Sequence, residues 1–234
     1  MGCTFCATGQ GGFFRHLAPS EMLAQIQAAQ RDQQIRISNV VLMGMGEPLD
    51  NYDSVIRFLE LVSSEKGLNI GMRHISLSTC GLVDRIYDLM EKDLQLTLSV
   101  SLHVPNDQIR TRTMPIARKW SMEQLLTACR AYAEKTGRRI SFEYAMIRGV
   151  NDSDACAHEL GKKLSGMLAH VNLIPVNEVT ETGYQRSSQA RLEQFTHILE
   201  QYHLTATVRR TLGADINASC GQLRRRKISE ASST

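Results

Sequence analysis

The spacing of apolar and polar positions along this chain switches repeatedly between two periods. Six short runs rich in β-branched and aliphatic residues read as strands: Val40 to Met43, His74 to Leu77, Leu96 to Val100, Ile140 to Tyr144, Val171 to Ile174 and Ala206 to Val208. Between them apolar residues recur at three- and four-residue steps. That places Met22, Ile26 and Ala29 on one helical face, and likewise Val55, Leu59 and Val62, then Leu125, Cys129 and Tyr132, and finally Leu192, Phe195 and Leu199. Ser121 and Gln124 have the spacing of a capping box, and Gly67 and Gly137 stand where helices should end. Strand and helix alternate, which implies parallel strands joined by right-handed crossovers. The expected architecture is α/β, a partial (βα)6 barrel of TIM-like form. Loops that follow the strands form the reactive face of such a barrel, so chemistry is expected in Gly44 to Leu49, Ser78 to Gly81, Ser101 to His103 and Pro175 to Asn177.

Composition narrows the classes. A chain of 234 residues with 42% hydrophobic content suits one globular domain, read here as residues 1–223, followed by a basic, disordered tail over 224–234. Six cysteines are too few and too irregularly spaced for a secreted disulfide scaffold, and neither a leader nor a long apolar run appears. The expected setting is a reducing cytoplasm with no membrane contact. A net charge of +3 permits RNA as a partner without demanding it.

Candidate chemistry starts at Cys3 and Cys6. A C-x-x-C pair followed by glycines can hold zinc, an iron–sulfur cluster or a redox disulfide, and zinc normally takes four ligands, for which no second pair exists. A cysteine loop on the reactive face should itself follow a strand, yet only two residues precede Cys3, so the first strand is expected to be missing and the chain to begin within a domain. Cys129 and Cys156 fall on apolar helix faces and read as core, and Cys80 lies in a strand-end loop. Taken one at a time, the polar residues at strand ends read first as turn formers or satisfied structural groups and only second as ligand contacts.

Seven segments in order carry a resemblance: CTFCATGQGGF from Cys3, GMGEPL from Gly44, STCG from Ser78, SLH from Ser101, MIRGVND from Met146, NLIPVN from Asn172 and DINASCGQL from Asp215. Together they resemble the RlmN/Cfr family of radical S-adenosylmethionine (radical SAM) enzymes that methylate carbon 2 of adenine in RNA, from the first residues to about Leu223. Pro48 and the stretch after Asn177 are nearer the RlmN branch. The resemblance implies a 4Fe-4S cluster on three cysteines, of which Cys3 and Cys6 match the last two, while the first would lie four residues before Cys3. It implies that SAM contacts Gly46, Glu47, Ser78, Ser101, Leu102, His103 and Asn177, with Glu47 at its amino group. By the same resemblance Cys220 is the catalytic cysteine, methylated by a first SAM and resolved by a disulfide with a second cysteine that, like an assisting glutamate, belongs upstream of the cluster motif. The implied partners are 23S rRNA, tRNA and a flavodoxin-like electron donor, acting on a monomer. Lacking those upstream groups, this chain alone is expected to be inactive, and the rival reading is a non-catalytic RNA-binding remnant of the barrel. RNA contact is expected at Arg110, Arg112, Arg118 and Lys119, at Arg209 and Arg210, and at Arg224 to Lys227, each of which reads equally as a solvated rim.

Overall fold

In the computed structural model, which describes residues 1–6, 8, 12–43, 45–176 and 183–209, the two periods separate into a sheet and a layer of helices. The order is α1 (Pro19–Gln33), β1 (Val40–Leu42), α2 (Tyr52–Ser63), β2 (Ile75–Thr79), α3 (Val83–Met90), β3 (Thr97–Ser101), α4 (Asp107–Thr113), α5 (Met122–Thr136), β4 (Ile140–Met146), α6 (Asp154–Leu164), β5 (Ala169–Pro175), α7 (Gln189–Glu200) and β6 (Thr205–Val208). All six strands are parallel and lie side by side in sequence order. Among the described residues β1 pairs only with β2 and β6 only with β5, so the sheet is an open, partial barrel, as the alternation implies.

Register decides what each face of the sheet is made of. Leu42, Leu77 and Leu98 stand abreast on one face, and Val100, Phe142, Val171 and Ala206 continue it. Ile75, Leu77, Leu98, Val100, Phe142, Val171 and Leu173 are fully buried there, in one core with Val55, Leu59 and Val62 of α2, Leu125, Cys129 and Tyr132 of α5, and Leu192, Phe195 and Leu199 of α7. Each such side chain contributes about 1.5–3 kcal/mol. The other face is polar. Ser78, Ser99, Ser141, His170 and Thr205 form one row, and Ser101, Glu143, Asn172 and Thr207 the next. Parallel strands covered by helices on both sides are ordinarily apolar throughout, so this alternation leaves one face for something other than a helix.

Helix ends follow local chemistry. The Ser121 hydroxyl accepts from Gln124 N–H at 3.2 Å and the Gln124 side chain accepts from Ser121 N–H at 2.9 Å, closing the expected capping box on α5. Gly137 ends that helix in the left-handed region, with φ 62°. Gly67 does not end α2, which stops at Ser63. The Ser63 hydroxyl donates back to the Leu59 carbonyl at 2.8 Å, and Gly67 sits four residues on, closing a turn on the Ser64 carbonyl. No described helix is long and apolar enough to cross a membrane.

One close approach fixes how α6 meets the chain after α7. A Cβ built on Gly161 would stand 2.3 Å from Cδ2 of Tyr202. Gly161→Ala should therefore destabilise the protein by about 1–2 kcal/mol in urea titration, because overpacking outweighs the gain in helix propensity. A stabilised variant would show that Tyr202 yields freely.

Candidate active site at the strand ends

The cysteine loop is a tight turn. Cys6 N–H donates to the Cys3 carbonyl at 3.1 Å, which holds two half-buried thiols on one short segment. Two contacts dock it on the sheet end: Thr4 N–H donates to the Thr113 carbonyl at 2.9 Å at the end of α4, and the Phe5 ring meets the His103 imidazole edge-on, 4.7 Å between centroids. Burial, then the neighbouring Cys6, pushes the Cys3 thiol up to about 11. A cation or metal is what such a thiol needs in order to ionise.

After β1 the backbone turns at Gly46, with φ 83° and nothing within 4 Å of where a Cβ would stand. Glu47 follows. Its Oε1 accepts from Leu49 N–H at 3.0 Å and its Oε2 from Cys80 N–H at 2.7 Å, so one carboxylate clamps the loops after β1 and β2 together. Burial raises the Glu47 pKa, and these amide bonds oppose the rise. The Cys80 and Thr79 side chains also donate to this carboxylate and oppose the rise further.

The end of β3 is built around His103. Its backbone is left-handed, φ 60°, and its N–H, like that of Leu102, donates to the Glu143 carbonyl at 3.1 Å. Leu102 itself points into the core. The imidazole Nδ1 accepts from Ala145 N–H at 3.0 Å, which leaves the ring proton on Nε2. Asn151, fully buried, holds this arrangement from behind. Its amide donates to the His103 and Ala145 carbonyls, both at 2.6 Å, and accepts from Ile147 N–H at 2.7 Å. Nothing in the isolated motif around Asn151 marks it as a support for the residue 48 positions earlier; only the fold brings them together.

On the polar face Ser78 and Ser101 are half-buried, and their hydroxyls take no partner among the described residues. Ser76 and Ser99 satisfy one another at 2.9 Å, and Glu143 accepts from Ser141 at 3.1 Å and from Asn172 at 2.7 Å. Asn177 and Cys220 lie outside the described residues, as do Arg210 and the tail from Arg224. Cys129 is buried in the core and Cys156 is partly buried against it, in line with their periodicity. Cys80 is buried too, between Glu47 and Arg110.

Arg110 is a correction. Sequence placed it with Arg112 and Arg118 on a basic rim, but α4 turns it inward and it is 0% exposed, whereas Arg112 and Arg118 are exposed. Its Nη2 donates to the Cys80 carbonyl at 2.7 Å, while Nε and Nη1 are buried without a partner. The guanidinium lies within electrostatic reach of Cys80, Asp107 and Cys3, and no carboxylate stands within salt-bridge distance of it among the described residues. A buried cation with unspent donors beside cysteine thiols fits an anionic, thiolate-held cluster. Cys3 and Cys6 are the two thiols of the cysteine loop. Among the described residues no three or more His, Cys, Asp or Glu side chains stand together as a metal site.

Comparison with known proteins bears on the whole arrangement. The family model of the radical SAM superfamily matches residues 1–159. A probable dual-specificity RNA methyltransferase RlmN from Clostridium acetobutylicum is 54% identical over 231 residues, 99% of this chain and 67% of its own, and one from Alkaliphilus oremlandii is 55% identical over 97% of this chain and 66% of its own. The chain thus spans about two thirds of the length of these curated relatives. A solved radical SAM methyltransferase from Sphaerobacter thermophilus superposes with a TM-score of 0.91 at 46% identity, covering 94% of this chain and 66% of that one. A domain of pyruvate-formate lyase-activating enzyme from Bacteroides vulgatus shares the fold, with a TM-score of 0.59 at 20% identity over 74% of this chain.

Two outcomes follow from the buried charges. Burial, and secondarily Arg110, lowers the His103 pKa from 6.5 to about 3, so protonation favours the unfolded chain. Stability from this group is fully present above pH 6.5 and lost as pH falls towards 3, by at most about 5 kcal/mol. NMR of the imidazole should find it neutral at pH 5 with the proton on Nε2; titration near 6.5 would contradict the burial. In metal-free protein, Arg110→Met should raise the urea midpoint by the equivalent of about 1 kcal/mol, because a buried cation with two unpaired donor nitrogens and no salt bridge is replaced by an apolar group of similar length. A large loss of stability there would mean that the guanidinium is already compensated.

Proposed function

We propose that this chain, which belongs to the radical SAM superfamily and within it to the RlmN methyltransferases, is the barrel of an enzyme that methylates carbon 2 of adenosine in 23S rRNA and tRNA. The observation that carries the reading is the convergence at one end of the sheet of the cysteine loop, the Glu47 clamp, two open serine hydroxyls and a histidine with its tautomer fixed. Cys3 and Cys6 would hold the 4Fe-4S cluster, which when bound supplies the electron that cleaves the sulfonium of SAM.

The chain's own residues supply binding and orientation. Gly46 leaves space beside the backbone for the methionine end of SAM, and the negative charge of the Glu47 carboxylate suits its ammonium. Ser78 and Ser101 offer hydroxyls, Leu102 its backbone, His103 the Nε2 proton and Asn177 an amide to the nucleoside. Cys220 would carry the methyl group as a thioether. The need for such a carrier is chemical: carbon 2 of adenine is electrophilic, so direct displacement on SAM leaves it untouched, whereas a carbon radical held on sulfur adds to it. A flavodoxin-like protein as reductant, a cytoplasmic setting and a monomeric enzyme complete the reading.

Deleting the encoding gene should remove 2-methyladenosine from 23S rRNA and tRNA, measured by mass spectrometry of digested RNA. A restored copy carrying Cys220→Ala should leave it absent. Unchanged 2-methyladenosine after deletion would favour the non-catalytic RNA-binding reading, and full restoration by the variant would remove Cys220 from the chemistry.

A further inference from the structure

The loop after β4 and the segment before α7 enclose a cleft of about 400 Å³ lined by Arg148, Asp152, Arg186, Ser188, Ala190 and Arg191. We propose that Arg148 and Arg186 bind a phosphodiester of the RNA backbone in this cleft. The inference rests on the reading of the chain as an RNA-modifying enzyme and adds where the strand is gripped.

Main-chain bonds hold the two arginine-bearing segments side by side, and both side chains line the cleft. Ile147 bridges Arg186 in antiparallel fashion, and Arg148 N–H donates to the Gln185 carbonyl at 2.9 Å. The acidic groups nearby are already engaged. Asp152 accepts from Gly149 N–H at 2.9 Å through one oxygen and from the Ser187 hydroxyl at 2.8 Å through the other. Asp154 pairs with Arg191 at 2.8 Å, and Arg191 also reaches the Asp152 carbonyl at 3.5 Å. The exposed guanidinium groups of Arg148 and Arg186 have no acceptor among the described residues. Two planar forks facing a shared space match the oxygens of a phosphate, which Arg binds bidentately.

Position argues for a phosphate within a polymer. The Tyr184 hydroxyl lies 3.0 Å from the Thr4 hydroxyl, so the segment that carries Arg186 is tied to the cysteine loop itself. A strand that presents one base to that loop must run its backbone along the same rim, where phosphate contacts position the polymer without reading sequence. The molecule also supplies its own control. A second cleft, of about 680 Å³, is lined by Arg31 and Arg36 and lies where α1 leads into the start of β1, at the opposite end of the strands.

The test measures binding of the purified full chain to a labelled RNA hairpin with an unpaired adenosine, as a function of potassium chloride concentration. Arg148→Gln with Arg186→Gln should weaken binding about tenfold or more at low salt and reduce the slope of log K against log salt by about 0.7 per lost phosphate contact. Arg31→Gln with Arg36→Gln removes the same charge and should leave the slope within error. Restoring charge with Arg148→Lys and Arg186→Lys should recover the slope but only part of the affinity, since the fork is lost. Equal losses from both Gln pairs, or no loss from the first, would overturn the cleft while leaving the enzyme reading intact. Displacement of the RNA by millimolar inorganic phosphate would assign the cleft to a free anion and overturn the polymer. Wild-type chain that binds no RNA would remove the functional reading and this inference with it. Unchanged thermal melts confirm that the variants are folded.

Discussion

Everything in this molecule depends on a parallel sheet whose two faces differ in chemistry. Because side chains alternate along each strand and the strands stand in register, leucine meets leucine on one side and serine meets serine on the other. Helices can bury themselves only on the apolar side. The polar side cannot be closed by an apolar layer without stranding hydroxyls and a carboxylate, each costing on the order of 1–3 kcal/mol if left unpaired. The sheet therefore folds with a surface reserved for polar company, and the hydrogen bonds among Ser141, Glu143 and Asn172 satisfy its most buried part.

On that base the strand ends are joined crosswise. Glu47 ties the loop after β1 to that after β2, Arg110 reaches back from α4 to the same Cys80 backbone, and Asn151 fastens the loop after β4 to that after β3. The cysteine loop attaches to two of these, through Thr113 and His103. Several of the bonds involve a charged group, and those contribute about 1.5–3 kcal/mol each against roughly 1 for neutral pairs. Rigidity at a reactive face comes here from side chains of one loop serving the backbone of the next.

The strands and most helices were legible because each pattern is long enough to show its period, and the capping box of α5 is a purely local signal. Helices α3 and α4 were not, since eight and seven residues give only two turns. The two-sided sheet was present in Ile75-Ser76-Leu77-Ser78, a period-two alternation unusual for a parallel strand. Arg110 misled because neighbouring basic residues look alike in a string, while a helix turns one inward and its neighbour out. The cleft was invisible for the opposite reason: Arg148 and Arg186 are far apart in sequence, and their segments meet through the pairing of Ile147 with Arg186 and of Arg148 with Gln185.

His103 meets two demands at once. Its main chain sits in a region that few residues other than glycine, asparagine, aspartate and histidine enter readily, and its Nδ1 accepts from an amide of the neighbouring strand β4. A β-branched or apolar residue would fail both, so backbone shape and cross-strand contact at this strand end stand or fall as one unit.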